Sequence, residues 1–187
     1  ASIDKNVNFI ILMAAPGDNG SNLIIEQLKK IYKLNGSSDS MITAEVKSAE
    51  KIHNVIISDR GWDELKNKIR TDIKERISRS SNSQLAEMEN KEIFIENLVE
   101  NQMQNYKSAW FKSFLTNQPQ DHLKKVKCPV LALFGEKDTQ VDAKNNSEKI
   151  KKALKSAKNS RYSIKIIENA NHLFQESKTG LPKEYYL

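Results

Sequence analysis

The most constraining feature of this chain is an apolar run, residues 129–134, followed by a helical face and then by a second apolar run, residues 162–167. The first run ends at Gly135, and between the two Ile150, Ala153, Leu154 and Ala157 recur at i, i+3, i+4 and i+7, with lysines on the opposite face. Strand, helix, strand in this order is a βαβ crossover. Parallel neighbours need a connection long enough to hold a helix, so the order predicts an α/β fold in which helices cover a parallel sheet. Near the start of the chain Phe9, Ile10, Ile11, Leu12 and Met13 form another apolar run, closed by Pro16 and Gly17. A run without alternation predicts a strand buried on both faces, so this one is expected to be central. With 187 residues, 38% of them hydrophobic, the chain can bury the core of one ordinary domain.

Strand signals all but vanish between about residues 22 and 115. Leu23, Ile24, Leu28, Ile31 and Tyr32 make an apolar helical face that stops near Gly36, a residue suited to the left-handed conformation after a helix end. Ile42, Ala49, Ile52 and Ile56 predict a second helix. Trp62, Leu65, Ile69, Ile73 and Ile77 predict a third, with Asp59 as its expected cap. Leu85, Met88, Leu98, Val99 and Met103 belong to a fourth that runs to Tyr106. Residues 78–83 are polar and serine-rich and mark a flexible connection or a surface turn. No signature repeats at a fixed period, which excludes a solenoid.

Charged residues make up 29% of the chain, the composition of a globular rather than a disordered protein. The longest apolar runs, such as residues 9–15, fall far short of the roughly 20 residues that cross a bilayer, so no membrane span is expected. A net charge of +6 would suit a nucleic-acid partner, because lysines neutralise phosphates and release counterions. These lysines are instead interleaved with glutamates, as at Glu148, Lys149, Lys151 and Lys152, and no nucleic-acid motif accompanies them. A solvated helix surface is expected, without nucleic acid. The single cysteine, Cys128, cannot form an internal disulfide, and the chain begins at Ala1 rather than Met, so its natural N-terminus is expected elsewhere and its compartment is open.

Chemistry concentrates just past the ends of the last two strands. Residues 128–141 read Cys-Pro-Val-Leu-Ala-Leu-Phe-Gly-Glu-Lys-Asp-Thr-Gln-Val, which places Asp138 three residues after Gly135, where a glycine lets the chain turn sharply. Residues 166–174 place His172 after the next strand. Ligands of open parallel sheets bind outside the carboxyl ends of the strands, so both side chains are expected at one edge. A carboxylate that accepts the imidazole Nδ1 proton fixes the tautomer and leaves Nε2 free to take a proton from a hydroxyl. Asp138 and His172 are therefore the expected catalytic acid and base, although a lone aspartate in a turn is more often solvated or a turn cap. Asp142 is an alternative acid, but its position favours capping the following helix. His53 and His122 fall in helical surroundings, no Cys or His cluster has metal-ligand spacing, and Cys128 lacks an activating partner. Neither a metal nor a cofactor is called for. Trp110, Phe111 and Phe114 recur at near-helical spacing, which favours core over pocket.

These strand-end motifs resemble the C-terminal acid and histidine motifs of α/β-hydrolases, in which a Pro-Val-Leu strand leads into Gly-Glu-x-Asp and a later Asn-His ends the triad. Residues 8–17, Asn-Phe-Ile-Ile-Leu-Met-Ala-Ala-Pro-Gly, are similar to the strand after the nucleophile helix in bacterial esterase-like members, related to the prolyl-oligopeptidase-like hydrolases. Residues 108–115, Ser-Ala-Trp-Phe-Lys-Ser-Phe-Leu, resemble their lid-to-core return segment. The resemblance covers both ends of the chain and departs most in the helical block. It implies the C-terminal portion of an α/β-hydrolase parallel sheet with a large helical lid insertion: a core strand and loop over residues 1–20, the lid over 21–118, and the C-terminal core over 119–187.

The same resemblance implies a triad in the order Ser, Asp, His, its serine in a G-x-S-x-G elbow. No such elbow occurs here: the glycines stand at 17, 20, 36, 61, 135 and 180, no two of them four apart, and Ser2 has no glycine beside it. What is implied is part of a serine hydrolase that cleaves small-molecule esters through an acyl-enzyme. His172 would be general base and then acid, Asp138 would orient it, Trp110, Phe111 and Phe114 would lie beside the acyl site, and the nucleophile would be outside this chain. Peptidase or thioesterase chemistry would use the same parts, and a non-catalytic binding module that kept the fold is the alternative from another class. Part of a sheet exposes a strand edge, so self-association or pairing with a nucleophile-bearing N-terminal half is expected.

Overall fold

The structure, a computed structural model, describes residues 1–4, 6–79 and 90–185. In chain order the helices among them are α1 (Gly20–Leu34), α2 (Asp39–Ser58), α3 (Trp62–Ser78), α4 (Lys91–Lys107), α5 (Ala109–Thr116), α6 (Pro119–Leu123) and α7 (Ala143–Ser156), with a 3-10 turn at Pro182–Glu184. Leu85, Met88 and residues 80–83 of the serine-rich stretch lie outside the described residues. The chain divides into two compact units, Ala1–Ala49 with Thr116–Leu187, and Glu50–Leu115. No described helix is long and apolar enough to cross a membrane.

The first unit is built on a parallel sheet in the order β1 (Ile10–Met13), β2 (Val130–Gly135) and β3 (Tyr162–Ile167). Along β2 burial alternates as the pleat requires: Val130, Ala132 and Phe134 are buried, while Leu131 and Leu133 between them are half-buried. The helix between β2 and β3, α7, packs against both strands. Asp142 starts it by accepting a hydrogen bond from the amide of Asn145, and Ile150 and Leu154 are fully buried on its inner face. Burial of each of those two side chains stabilises the fold by roughly 1.5–3 kcal/mol.

β1 is not the central strand that its continuous apolar run predicts. β2 is central and β1 lies at the edge of the described sheet. Ile10 and Leu12 are half-buried, whereas Phe9, Ile11 and Met13 are 63%, 50% and 62% exposed. The register aligns Ile11 with Leu131 and Met13 with Leu133, and Ile167 lies on the same side opposite Gly135. That face of the sheet is open, apolar along β1 and β2 and at Ile167, with Ser163 and Lys165 of β3 also on it. An unalternating run records that both faces of a strand are apolar, not how many of them are covered.

The division between the units runs through helices. It falls within α2 and at the end of α5, so α1 belongs with the sheet. Ionic contacts hold it there: Lys149 of α7 reaches Asp18 at 2.9 Å and Glu26 at 3.0 Å, and Lys30 reaches Asp142 at 2.9 Å. A reading based on apolar periodicity is blind to such ties.

The core of the second unit is a helical pair. Leu65, Ile69, Ile73 and Ile77 of α3, spaced by four, pack with Ile95, Val99 and Met103 of α4. Arg70 and Glu96 form a two-pronged ion pair between them, at 2.5 and 3.0 Å. Asp59 does not cap α3 as expected. Gly61 occupies that position, while the Asp59 carboxylate accepts from the indole Nε1 of Trp62 at 2.7 Å. The turn at Asp59, φ +59°, carries its side chain past the helix start to the ring.

Candidate active site

The chain leaving β2 is stitched at once to the chain leaving β3. The amide of Glu136 donates to the carbonyl of Ile167 at 2.9 Å, and that of Lys137 to the carbonyl of Ala170 at 2.8 Å. Asp138 follows, and it is fully buried. A bare carboxylate in such a place would be costly. Here Oδ1 accepts from the amides of Gln140 at 2.7 Å and Val141 at 2.9 Å, and Oδ2 lies 2.9 Å from Nδ1 of His172. Lys30 adds a third anchor, its ammonium donating to the Asp138 carbonyl at 2.7 Å and to Asp142 at 2.9 Å.

His172 stands in a loop shaped by its neighbour. Asn171 is fully buried, and its Oδ1 accepts from the amides of Leu173 at 2.9 Å and Gln175 at 3.1 Å, closing a tight turn in which Phe174 takes φ +59°. With Asn171 held inside, the next side chain points outward: His172 is 27% exposed, against 0% for its partner. No described residue bonds its Nε2. The imidazole is thus bound at Nδ1 and available at Nε2, the arrangement of a base that takes a proton from outside the pair.

Gly135 makes this approach possible for a reason other than the sharp turn expected of it. Its φ is not positive. The carbonyl oxygens of Ala170 and Asn171 instead pass 2.4 Å from where a Cβ would stand, so the histidine loop fits against the strand end only because nothing projects there.

The remaining residues singled out by sequence take other places. Asp142 caps α7; burial opposes its charge, but Lys30 and the amides of Asn145 and Lys144 outweigh that and hold its carboxyl below the usual range. Burial pushes the imidazole of His53 down, while His122 is exposed beside Asn117 and Cys128 is half-buried. Among the described residues no group of three or more His, Cys, Asp or Glu is placed to hold a metal.

Trp110, Phe111 and Phe114 lie in the second unit and the dyad in the first. The three rings are not the core their spacing favours. Trp110 is 68% exposed and stacks on Phe114 with centroids 5.5 Å apart, while Leu115 is the buried residue of α5. Sequence reasoning passed over Asn171, Thr139 and Lys30. The Asn-Ala-Asn-His run was a usable signal, since asparagines close turns on their own backbone. Lys30, 108 positions before Asp138, left none.

Residues 99–185 match the family model of the Dienelactone hydrolase family, an α/β-hydrolase-type family. The match takes in β2, α7, β3 and both members of the dyad, and it points to a hydrolase. No curated protein and no solved structure gives a significant match.

Proposed function

We propose that Asp138 and His172 are the acid and base of a serine-hydrolase triad that cleaves carboxylic esters through an acyl-enzyme. The observation that carries this reading is the 2.9 Å contact between a fully buried carboxylate and a partly exposed imidazole, just past the C-terminal ends of adjacent parallel strands. Nε2 takes the proton of a serine hydroxyl as its oxygen attacks the ester carbonyl. Asp138 stabilises the imidazolium, which then protonates the leaving alcohol, and water repeats the sequence on the acyl-enzyme. The nucleophile comes from polypeptide outside residues 1–187, since none of the six glycines here can frame an elbow.

A fluorophosphonate probe tests this directly, because it reacts only with an activated serine. The isolated chain is expected to remain unlabelled, and the full-length protein to be labelled and to lose labelling in His172→Gln. A labelled serine within residues 1–187 would overturn the location of the nucleophile. Retained labelling in His172→Gln would remove His172 as the base and favour a binding module that kept the fold.

The open sheet face and the edge at β1 support a further part of the proposal, that this unit pairs with more sheet. Alone, the chain is expected to self-associate in sedimentation velocity as its concentration rises, and Ile11→Lys with Met13→Lys to return it toward monomer. A wild-type chain that stays monomeric throughout would count against the pairing.

A further inference from the structure

We infer that residues 177–185 form a strap that positions Asp138, with Thr139 and Glu184 as positioning residues; the inference rests on Asp138 and His172 working as a pair. The strap touches the acid turn on both sides of the aspartate. Before it, Gly180 takes φ +75° and lies so close that a Cβ would stand 1.6 Å from the carbonyl oxygen of Lys137. After it, buried Thr139 donates its hydroxyl to the Gly180 carbonyl at 2.8 Å, and Gln140 Nε2 donates to the Tyr185 hydroxyl at 3.1 Å.

Glu184 gives the strap its shape. Its carboxylate accepts from the Ser177 hydroxyl, from the amides of Lys178 at 2.9 Å and Thr179 at 3.1 Å, and from the Thr179 hydroxyl at 2.5 Å. Ser177 Oγ in turn accepts from the Gly180 amide at 2.8 Å, so a continuous path of hydrogen bonds runs from Glu184 through Ser177 and Gly180 to Thr139, next to the acid. Hydrogen bonds from Ser177 and Thr179 hold the Glu184 carboxyl down at about 2. The group therefore stays charged through the neutral range, and the strap is a fixed latch rather than a pH-driven one. Oδ1 of Asp138 is oriented by its own turn, through Gln140 and Val141, and the strap clamps that turn from outside.

The experiment reads the imidazole. In the ¹⁵N-labelled chain at pH 8, the His172 side-chain signals, assigned by their loss in His172→Gln, are expected to report the Nδ1–H tautomer with a slowly exchanging proton. Thr139→Val and Glu184→Gln should each introduce the Nε2–H tautomer and speed Nδ1–H exchange by about tenfold through freer opening of the acid turn, while Thr139→Ser stays like the wild type. If Asp138→Asn leaves the tautomer unchanged, the pair itself is wrong. If Asp138→Asn changes it but Thr139→Val and Glu184→Gln do not, the strap is overturned, and a lower melting temperature with an unchanged His172 signal counts as that same result. Should Thr139→Val fail to fold, half-buried Glu184→Gln decides alone.

Discussion

Gly135→Ala is expected to drive Asp138 and His172 apart and to destabilise the sheet unit by at least about 1–3 kcal/mol, the usual range for forcing an extra carbon into a packed site. The added Cβ would meet two backbone oxygens, those of Ala170 and Asn171, at 2.4 Å. A side chain in its place could rotate away, but these carbonyls are fixed by the loop that carries His172. Relief requires that loop to move off the end of β2, and the contacts from Lys137 to Ala170 and from Asp138 to His172 go with it. Gly36→Ala is the control. It has open space around its Cβ but a φ of +77°, so it should cost only the roughly 1–2 kcal/mol of a left-handed alanine and leave the dyad intact. Urea midpoints for the two variants, together with the His172 Nδ1–H signal, separate the cases. Wild-type stability and an unchanged signal in Gly135→Ala would sink the argument.

Much of the architecture was legible because local periodicity and crossover length are strong constraints. Residues 129–134, the Ile150 to Ala157 spacing and residues 162–167 imply β2, α7 and β3 as adjacent parallel elements, and chain order alone then brings Asp138 near His172. Periodicity says less about position within a sheet. β1 is apolar on both faces and still lies at an edge, because coverage depends on partners and not on the strand. For the candidate site, the approach of Asp138 to His172 was legible and what holds the two side chains was not. Gly135, Thr139 and Lys30 act by fitting against or bonding to backbone that is distant in sequence, and such contacts leave no spacing to find. Asp59 failed as a cap for a local reason: Gly61 takes the cap position and the Trp62 indole donates to the Asp59 carboxylate.

Asp138→Asn and Asp138→Ala should separate the two tasks of the buried carboxylate. Asparagine retains an oxygen that can accept from the amides of Gln140 and Val141, so the acid turn should persist with stability close to wild type. It presents an NH₂ group to His172, however, and the imidazole answers by moving its proton to Nε2 so that Nδ1 can accept. In the proposed triad a base already protonated at Nε2 cannot take a serine proton, so turnover by the hydrolase carrying that serine should fall by a factor on the order of 10⁴. Alanine removes the acceptor altogether. Two amides in a buried turn then lack partners at about 1–3 kcal/mol each, a large share of the roughly 5–15 kcal/mol that holds an ordinary domain. Asp138→Ala should therefore lose several kcal/mol in urea unfolding where Asp138→Asn loses little. Equal losses would mean that the carboxylate does not hold the turn, and near-wild-type turnover in Asp138→Asn would mean that it does not orient the base.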